Sequence, residues 1–111
     1  MSLIYDCLRA FAAGAVVCCA AYGAFAASDE TKVGIDNFTF KPGTITVRAG
    51  TKVEWENNDD IPHSIVASAG KFHSAALDTE DKFSFTFAQA GTFEYFCGLH
   101  PHMVGKVVVT P

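Results

Sequence analysis

Short runs of alternating apolar and polar residues, separated by turn residues, extend along this chain from residue 33 onward. In Lys52–Glu56 and in Lys82–Phe87 every second residue is apolar. Because side chains alternate across a strand, this spacing places the apolar residues on one face. Turn residues such as Pro42-Gly43 and Ala49-Gly50 interrupt the runs. The pattern predicts an all-β chain of about seven strands that packs as an antiparallel β-sandwich.

The first 27 residues have the features of an export signal. Arg9 supplies a positive charge, residues 10–27 carry none, and Ala24-Phe25-Ala26 matches the small-x-small pattern of a signal peptidase site. We expect residues 1–27 to be removed and residues 28–111 to form one domain in the periplasm, with no membrane contact. A retained anchor helix is the alternative, because the uncharged run is close to the length of a membrane span.

Charge and cysteine content narrow the functions that remain. The net charge is −4, with 8 basic and 12 acidic residues, so no basic stripe can follow a nucleic-acid backbone. Three of the 4 cysteines lie within residues 1–27, which leaves only Cys97 in the exported domain. One cysteine cannot form an internal disulfide. In an oxidising compartment, such a thiol is buried, paired between chains or bound to a ligand.

Soft metal donors recur at short spacing near the C-terminus. Cys97, His100 and Met103 are three residues apart, in a segment between two predicted strands. His63, at the end of the polar loop that follows the Trp55 strand, adds a second imidazole. Thiolate, thioether and imidazole together favour copper over magnesium, calcium or manganese. Two histidines and a cysteinate with a weak axial methionine form an electron-transfer copper site.

Other interpretations of these residues remain open at this point. His102 is the alternative to His100 as a ligand, although the spacing from Cys97 favours His100 and leaves His102 in solvent, at a docking rim or as a second metal contact. A copper storage, delivery or sensing protein could use the same donors, but delivery sites are usually rich in exchangeable methionines. A thiol hydrolase would need a group that orients its histidine. The sequence shows no such group and no general base, so we do not expect an enzyme.

Four motifs of the chain resemble the cupredoxins, in their amicyanin-like and plastocyanin-like forms. The motifs are Trp55-Glu56-Asn57, Pro62-His63, Gly91–Cys97 and the short ligand loop Cys97–Met103. The resemblance covers nearly all of residues 28–111. It implies a Greek-key β-sandwich that binds one type 1 (blue) copper ion per chain, which cycles between the +1 and +2 states.

The same resemblance implies roles for individual residues. His63, Cys97 and His100 would be equatorial ligands and Met103 the axial ligand, while Asn57 would bond across to the ligand loop and fix it. The implied function is the shuttling of single electrons between redox partner proteins by a monomeric carrier. A c-type cytochrome and a periplasmic dehydrogenase are the partners that the resemblance implies.

A docking surface is expected where His100 reaches the protein surface. A small apolar patch would surround the edge of its ring, formed by Ile61, Pro62, Gly98, Leu99 and Pro101. The acidic group Asn58-Asp59-Asp60 is expected to be a solvated loop tip that could steer a basic partner toward this patch.

Overall fold

The computed structural model describes residues 30–111, so the predicted signal segment 1–27 lies outside the described residues. This part of the chain forms eight strands and no helix. It therefore offers no helix with the length and apolar character that a membrane crossing requires. The strands are β1 (Glu30–Asp36), β2 (Thr39–Lys41), β3 (Thr44–Arg48), β4 (Thr51–Asn57), β5 (Val66–Ala67), β6 (Lys82–Phe87), β7 (Gly91–Phe96) and β8 (Val104–Thr110).

The strands form two four-stranded sheets, with orders β2-β1-β4-β6 and β3-β8-β7-β5. The predicted all-β sandwich is confirmed. The sheets are mixed, however, because β1 pairs parallel with β4 and β3 pairs parallel with β8. Hairpin-linked strands must run antiparallel, whereas strands that return after a visit to the other sheet can pair in parallel. β3 lies between β1 and β4 in sequence but belongs to the other sheet.

The core lies between the two sheets, on the faces that the alternation predicts. Val53 and Trp55 of β4 are fully buried, as is Val107 of β8. The Trp55 ring lies 5.4 Å from that of Tyr95 and 5.8 Å from that of Phe72, measured between ring centroids. Each aromatic side chain of this kind stabilises the fold by about 1.5–3 kcal/mol when fully buried. These contacts join the two sheets through aromatic side chains.

The first predicted strand ends earlier than the apolar pattern indicates. Phe38 continues the apolar pattern of Val33 and Ile35, but β1 ends at Asp36 and the chain turns at Asn37 and Phe38. These two residues have φ values of 52° and 57°, in the left-handed region that a two-residue hairpin requires. Phe38 is therefore at the hairpin tip and 49% exposed, not in the core.

The segment between β5 and β6 is irregular. Two isolated bridges fasten it, one from His63 to Leu77 and one from Val66 to His73. His73 is exposed. The His63–Leu77 bridge has backbone bonds of 3.1 and 2.6 Å, and it fixes the backbone of His63 against the opposite segment.

Candidate metal centre

The loop between β7 and β8 is closed by three backbone hydrogen bonds. The Cys97 N–H donates to the Met103 carbonyl at 3.0 Å, the His100 N–H to the Cys97 carbonyl at 3.2 Å, and the Met103 N–H to the His100 carbonyl at 2.9 Å. Each bond joins two of the three predicted donor residues of the loop. The loop is therefore a compact turn, and its backbone fixes the positions from which the donor side chains extend.

Three of the predicted donors meet at one point. Cys97 Sγ lies 3.6 Å from His63 Nδ1 and 3.7 Å from His100 Nδ1, and all three donor atoms lie within 4.8 Å of one another. With metal–sulfur and metal–nitrogen bonds of about 2.3 and 2.0 Å, as at zinc, an angle of about 120° separates sulfur from nitrogen by about 3.7 Å. The observed separations thus fit one metal ion between the three residues.

The donors differ in their access to solvent. His63 and Cys97 are fully buried, Met103 is 6% exposed, and His100 is half-buried. His102 is exposed, and within residues 30–111 the group of possible metal donors includes His100 but not His102. The arrangement favours His100 over His102 as the loop imidazole. It also leaves His100 as the one imidazole of the pair with an edge toward solvent.

Ser64 connects the His63 segment to the ligand loop. Its N–H donates to Cys97 Sγ at 3.3 Å, and its Oγ accepts the Gly98 N–H at 2.9 Å. A Cβ atom at Gly98 would lie 2.8 Å from Ser64 Oγ, closer than side chains pack, so glycine is required for this contact. A hydrogen bond to a thiolate sulfur is also a feature that tunes copper sites of this kind.

Asn57 has a different role from the one that the resemblance implies. Among residues 30–111, no side-chain hydrogen bond joins Asn57 to the ligand loop, so the predicted bond across to that loop is wrong. The Asn57 amide instead donates to the carbonyls of Ile61 and Leu77, both at 2.8 Å, and its oxygen accepts the Asp59 N–H at 2.9 Å. Asn57 thus shapes the loop that precedes His63, and Ser64 makes the link to the ligand loop.

Asp59 and Phe38 both belong to the site, although Asp59 was expected at a solvated loop tip and Phe38 was not expected there. Asp59 Oδ2 lies 2.8 Å from His63 Nε2, and the carboxylate is 12% exposed, so Asp59 is not part of a solvated loop tip. The hydrogen bond from the Phe38 N–H, with those from His63 and Asn37, outweighs burial and lowers the pKa of Asp59 to about 2. The Phe38 ring stands edge-on to both imidazoles, 5.6 Å from His63 and 5.1 Å from His100.

One signal in the sequence could have indicated Asp59. A histidine that binds a metal through one nitrogen usually donates the other N–H to a carboxylate or a carbonyl. Asp59 is an acidic residue four positions before His63, close enough in sequence to be considered as that acceptor. Phe38 carried no such signal, because it is brought to the site by the β1–β2 hairpin, which is distant from His63 in sequence.

An all-β sandwich with a buried cysteine, two imidazoles and a methionine at one end defines a mononuclear copper protein of the electron-transfer type. The model of the Cupredoxin-like domain matches residues 9–109. The chain therefore belongs to the cupredoxins. The predicted family and the predicted single type 1 copper ion are confirmed, and the assignment of individual ligands remains a prediction.

Curated relatives include several amicyanins. Amicyanin of Paracoccus denitrificans is 38% identical over 82 residues, which cover 69% of this chain and 63% of that protein. Amicyanin of Paracoccus versutus is 32% identical over 74% of this chain and 66% of that protein. The chain thus spans less than two thirds of these two relatives. Amicyanin-alpha of Methylorubrum extorquens is 32% identical over 109 residues, 92% of each chain.

Solved structures of the same family share the fold. A copper(I) form of an amicyanin variant has a TM-score of 0.68 at 33% identity, covering 75% of this chain and 84% of that chain. A purple cupredoxin from Nitrosopumilus maritimus has a TM-score of 0.67 at 32% identity, covering 72% of this chain and 99% of that chain.

Proposed function

We propose that this chain is a periplasmic carrier that moves single electrons between two redox proteins. One copper ion would be bound by His63, Cys97 and His100 as equatorial ligands and by Met103 as the axial ligand. The observation that carries the proposal is the convergence of Cys97 Sγ with the two Nδ1 atoms at 3.6 and 3.7 Å. Bound copper supplies a one-electron couple between its +1 and +2 states.

The protein contributes a rigid and nearly closed site. Cys97 and His63 are fully buried, and both are held by backbone hydrogen bonds. Donors held in this way keep their positions when the charge of the bound ion changes, which favours rapid electron transfer. Burial of the donors also leaves little room for a substrate at the metal, which favours a carrier over an enzyme.

The surface around His100 fits a docking site. Among residues 30–111, the large apolar side chains that are exposed are Phe38, Leu99 at 52% and Val104 at 65%. Phe38 touches the His100 ring, Leu99 precedes His100, and Val104 follows Met103, so all three lie next to the site by contact or by sequence. Of the predicted patch, Leu99, Gly98, Pro62 and Pro101 are exposed and Ile61 is partly buried. A small apolar patch supports the weak and short-lived docking of a redox partner.

Partner and location are the finer parts of the proposal. We expect a monomer that exchanges electrons with a c-type cytochrome or a periplasmic dehydrogenase, by resemblance to amicyanin-like carriers. Export rests on the N-terminal features of residues 1–27. Mass spectrometry of the protein recovered from the periplasm tests the cleavage, and an intact N-terminus would favour the retained anchor.

A copper(II) titration of the domain from residue 28 to residue 111 tests the site. We expect an intense visible band and a narrow copper hyperfine splitting that saturate at one copper per chain. His100→Ala should abolish the band and His102→Ala should retain it, because only His100 faces Cys97. A pale spectrum with wide splitting would exclude a short copper–thiolate bond and favour storage or delivery, and loss of the band in His102→Ala would reverse the loop assignment.

A further inference from the structure

The Asp59 carboxylate joins three parts of the chain at the edge of the metal centre. Its Oδ1 accepts the Asn37 N–H at 2.8 Å, and its Oδ2 accepts the Phe38 N–H at 2.9 Å. The same Oδ2 lies 2.8 Å from Nε2 of the fully buried His63. One side chain thus links the tip of the β1–β2 hairpin to a predicted ligand, more than 20 residues away in sequence.

The hairpin tip has a backbone conformation that is unfavourable for one of its residues. Asn37 and Phe38 have φ values of 52° and 57°. Asparagine tolerates the left-handed region well, but a bulky aromatic residue rarely occupies it. The two N–H groups at this turn both point to Asp59, and the Phe38 ring lies edge-on to His63 and His100. An unusual conformation that is maintained by specific contacts at a site is a reason to seek a functional role.

We propose that Asp59 is a positioning residue for the metal centre: it holds His63 with Nδ1 free toward Cys97, and it fastens the hairpin so that the Phe38 ring covers both imidazoles. The proposal rests on the proposed role of His63 as a ligand. An ionised carboxylate can only accept hydrogen bonds, so the hydrogen between the two residues is on His63 Nε2. The lone pair of the neutral ring is then on Nδ1, which faces Cys97 Sγ at 3.6 Å.

The contact between Asp59 and His63 also affects the balance between copper(I) and copper(II). A carboxylate that accepts the distal N–H makes an imidazole a stronger donor. A stronger nitrogen donor stabilises copper(II) more than copper(I). Asp59 therefore lowers the reduction potential of the bound ion, in addition to selecting the nitrogen that can bind it.

Asp59→Asn tests both effects, with Asp60→Asn as the matched control. Asp60 is exposed and is the next residue, so the two variants lose the same charge at nearly the same place. In Asp59→Asn we expect copper(II) affinity to fall about 10–100-fold, with a smaller loss for copper(I). The potential then rises by about 59 mV for each tenfold difference between the two losses. Asp60→Asn should leave affinity and potential close to those of the parent protein.

Nitrogen NMR of the metal-free protein provides a readout that does not depend on copper. The parent protein should show His63 protonated on Nε2 and unprotonated on Nδ1, with a slowly exchanging Nε2 proton. Asp59→Asn should give a mixture of the two ring forms, because its amide can present either an acceptor oxygen or a donor NH2 group to Nε2. Asp59→Glu, which retains a carboxylate that can only accept, should recover the parent form. If Asp59→Asn does not fold, the spectrum of the parent protein still decides: protonation on Nδ1 overturns the inference.

The outcomes separate this inference from the proposed function. A blue parent protein whose Asp59→Asn variant keeps the parent ring form and potential would overturn the role of Asp59 alone. Equal shifts in Asp59→Asn and Asp60→Asn would also overturn it, because charge rather than contact would then be responsible. A parent protein that binds copper without a blue band would refute the proposed function, whatever the ring form of His63.

Discussion

Two buried serines near the metal centre can separate the stability of the fold from the geometry of the site. Ser64 Oγ accepts the N–H of Gly98, which is an exposed residue. Ser74 Oγ accepts the N–H of Ile65, which is fully buried, at 2.9 Å. Ser64 contacts the ligand loop, and the hydrogen bonds of Ser74 are to residues outside it. The same substitution at the two positions should therefore have different consequences.

The stability of the metal-free protein should fall more in Ser74→Ala. Ser64→Ala removes the acceptor of the N–H of Gly98, an exposed residue, at a cost of about 1 kcal/mol. Ser74→Ala leaves the Ile65 N–H without an acceptor in the core, at a cost of about 2–3 kcal/mol. For a domain of this size, about 1 kcal/mol lowers Tm by about 4–8 °C. Urea and thermal unfolding, followed by circular dichroism, measure both losses.

The copper site should respond in the opposite order. Ser64→Ala releases Gly98, the neighbour of Cys97, so the sulfur can shift relative to the two imidazoles. We expect a changed intensity of the thiolate-to-copper band and a changed hyperfine splitting in this variant. Ser74→Ala should retain the parent spectrum, because its bonds end at Ile65 and Ala75. The reasoning is refuted if Ser64→Ala costs more stability than Ser74→Ala, or if both change the spectrum equally.

Three further predictions concern packing, pH and docking. Gly105→Ala would place a Cβ atom against the hydroxyl end of the Tyr95 ring, so it should lower the free energy of unfolding by about 1–3 kcal/mol or more. Gly43→Ala should not, because a Cβ atom there would make only an ordinary contact with the Phe40 carbonyl oxygen, at 3.8 Å. Burial, only partly offset by a contact with Trp55, raises the pKa of Tyr95 to about 12 from 10.0. The unfolded phenol therefore loses its proton first as pH rises, so stability of the metal-free protein should fall by about 2–3 kcal/mol between pH 10 and 12, and Tyr95→Phe should reduce that loss. Leu99→Lys should slow electron self-exchange between two copies, measured by NMR line broadening, because it places charge in the apolar patch; equal slowing by Ala88→Lys, far from the patch, would contradict this.

The sequence was sufficient for the sandwich and for the residues of the ligand loop. Alternation of period two depends only on local residues, and it located β6 to the residue and β4 to within one residue at each end. The spacing from Cys97 to Met103 also lies within one loop, so the closeness of these donors follows from local geometry. The sequence ranked His100 above His102 by its spacing from Cys97, and of these two histidines the group of possible metal donors among residues 30–111 includes His100.

Contacts between distant segments were not predictable in the same way. The hairpin tip at Phe38 reaches His63 only because β1 pairs with β4, in a parallel register that local patterning does not specify. Phe38 is apolar, but it lies at the tip of the hairpin because the backbone turns at Asn37 and Phe38. The sequence likewise offered no indication of the role of Ser64, because that role depends on contacts with Cys97 and Gly98, which are distant in sequence.

The two imidazoles of the site are chemically alike, but their surroundings assign them different tasks. His63 is fully buried, its Nε2 is bound to Asp59, and its backbone is fixed by Leu77, so it cannot serve as a contact for a partner. His100 is half-buried in a loop whose neighbour Leu99 is exposed. An electron that leaves the site through a ligand must use one that reaches the surface. In the proposed carrier, the burial of His63 would make His100 the path to the partner, and the anchoring of His63 would hold the site in place while the partner docks on the His100 side.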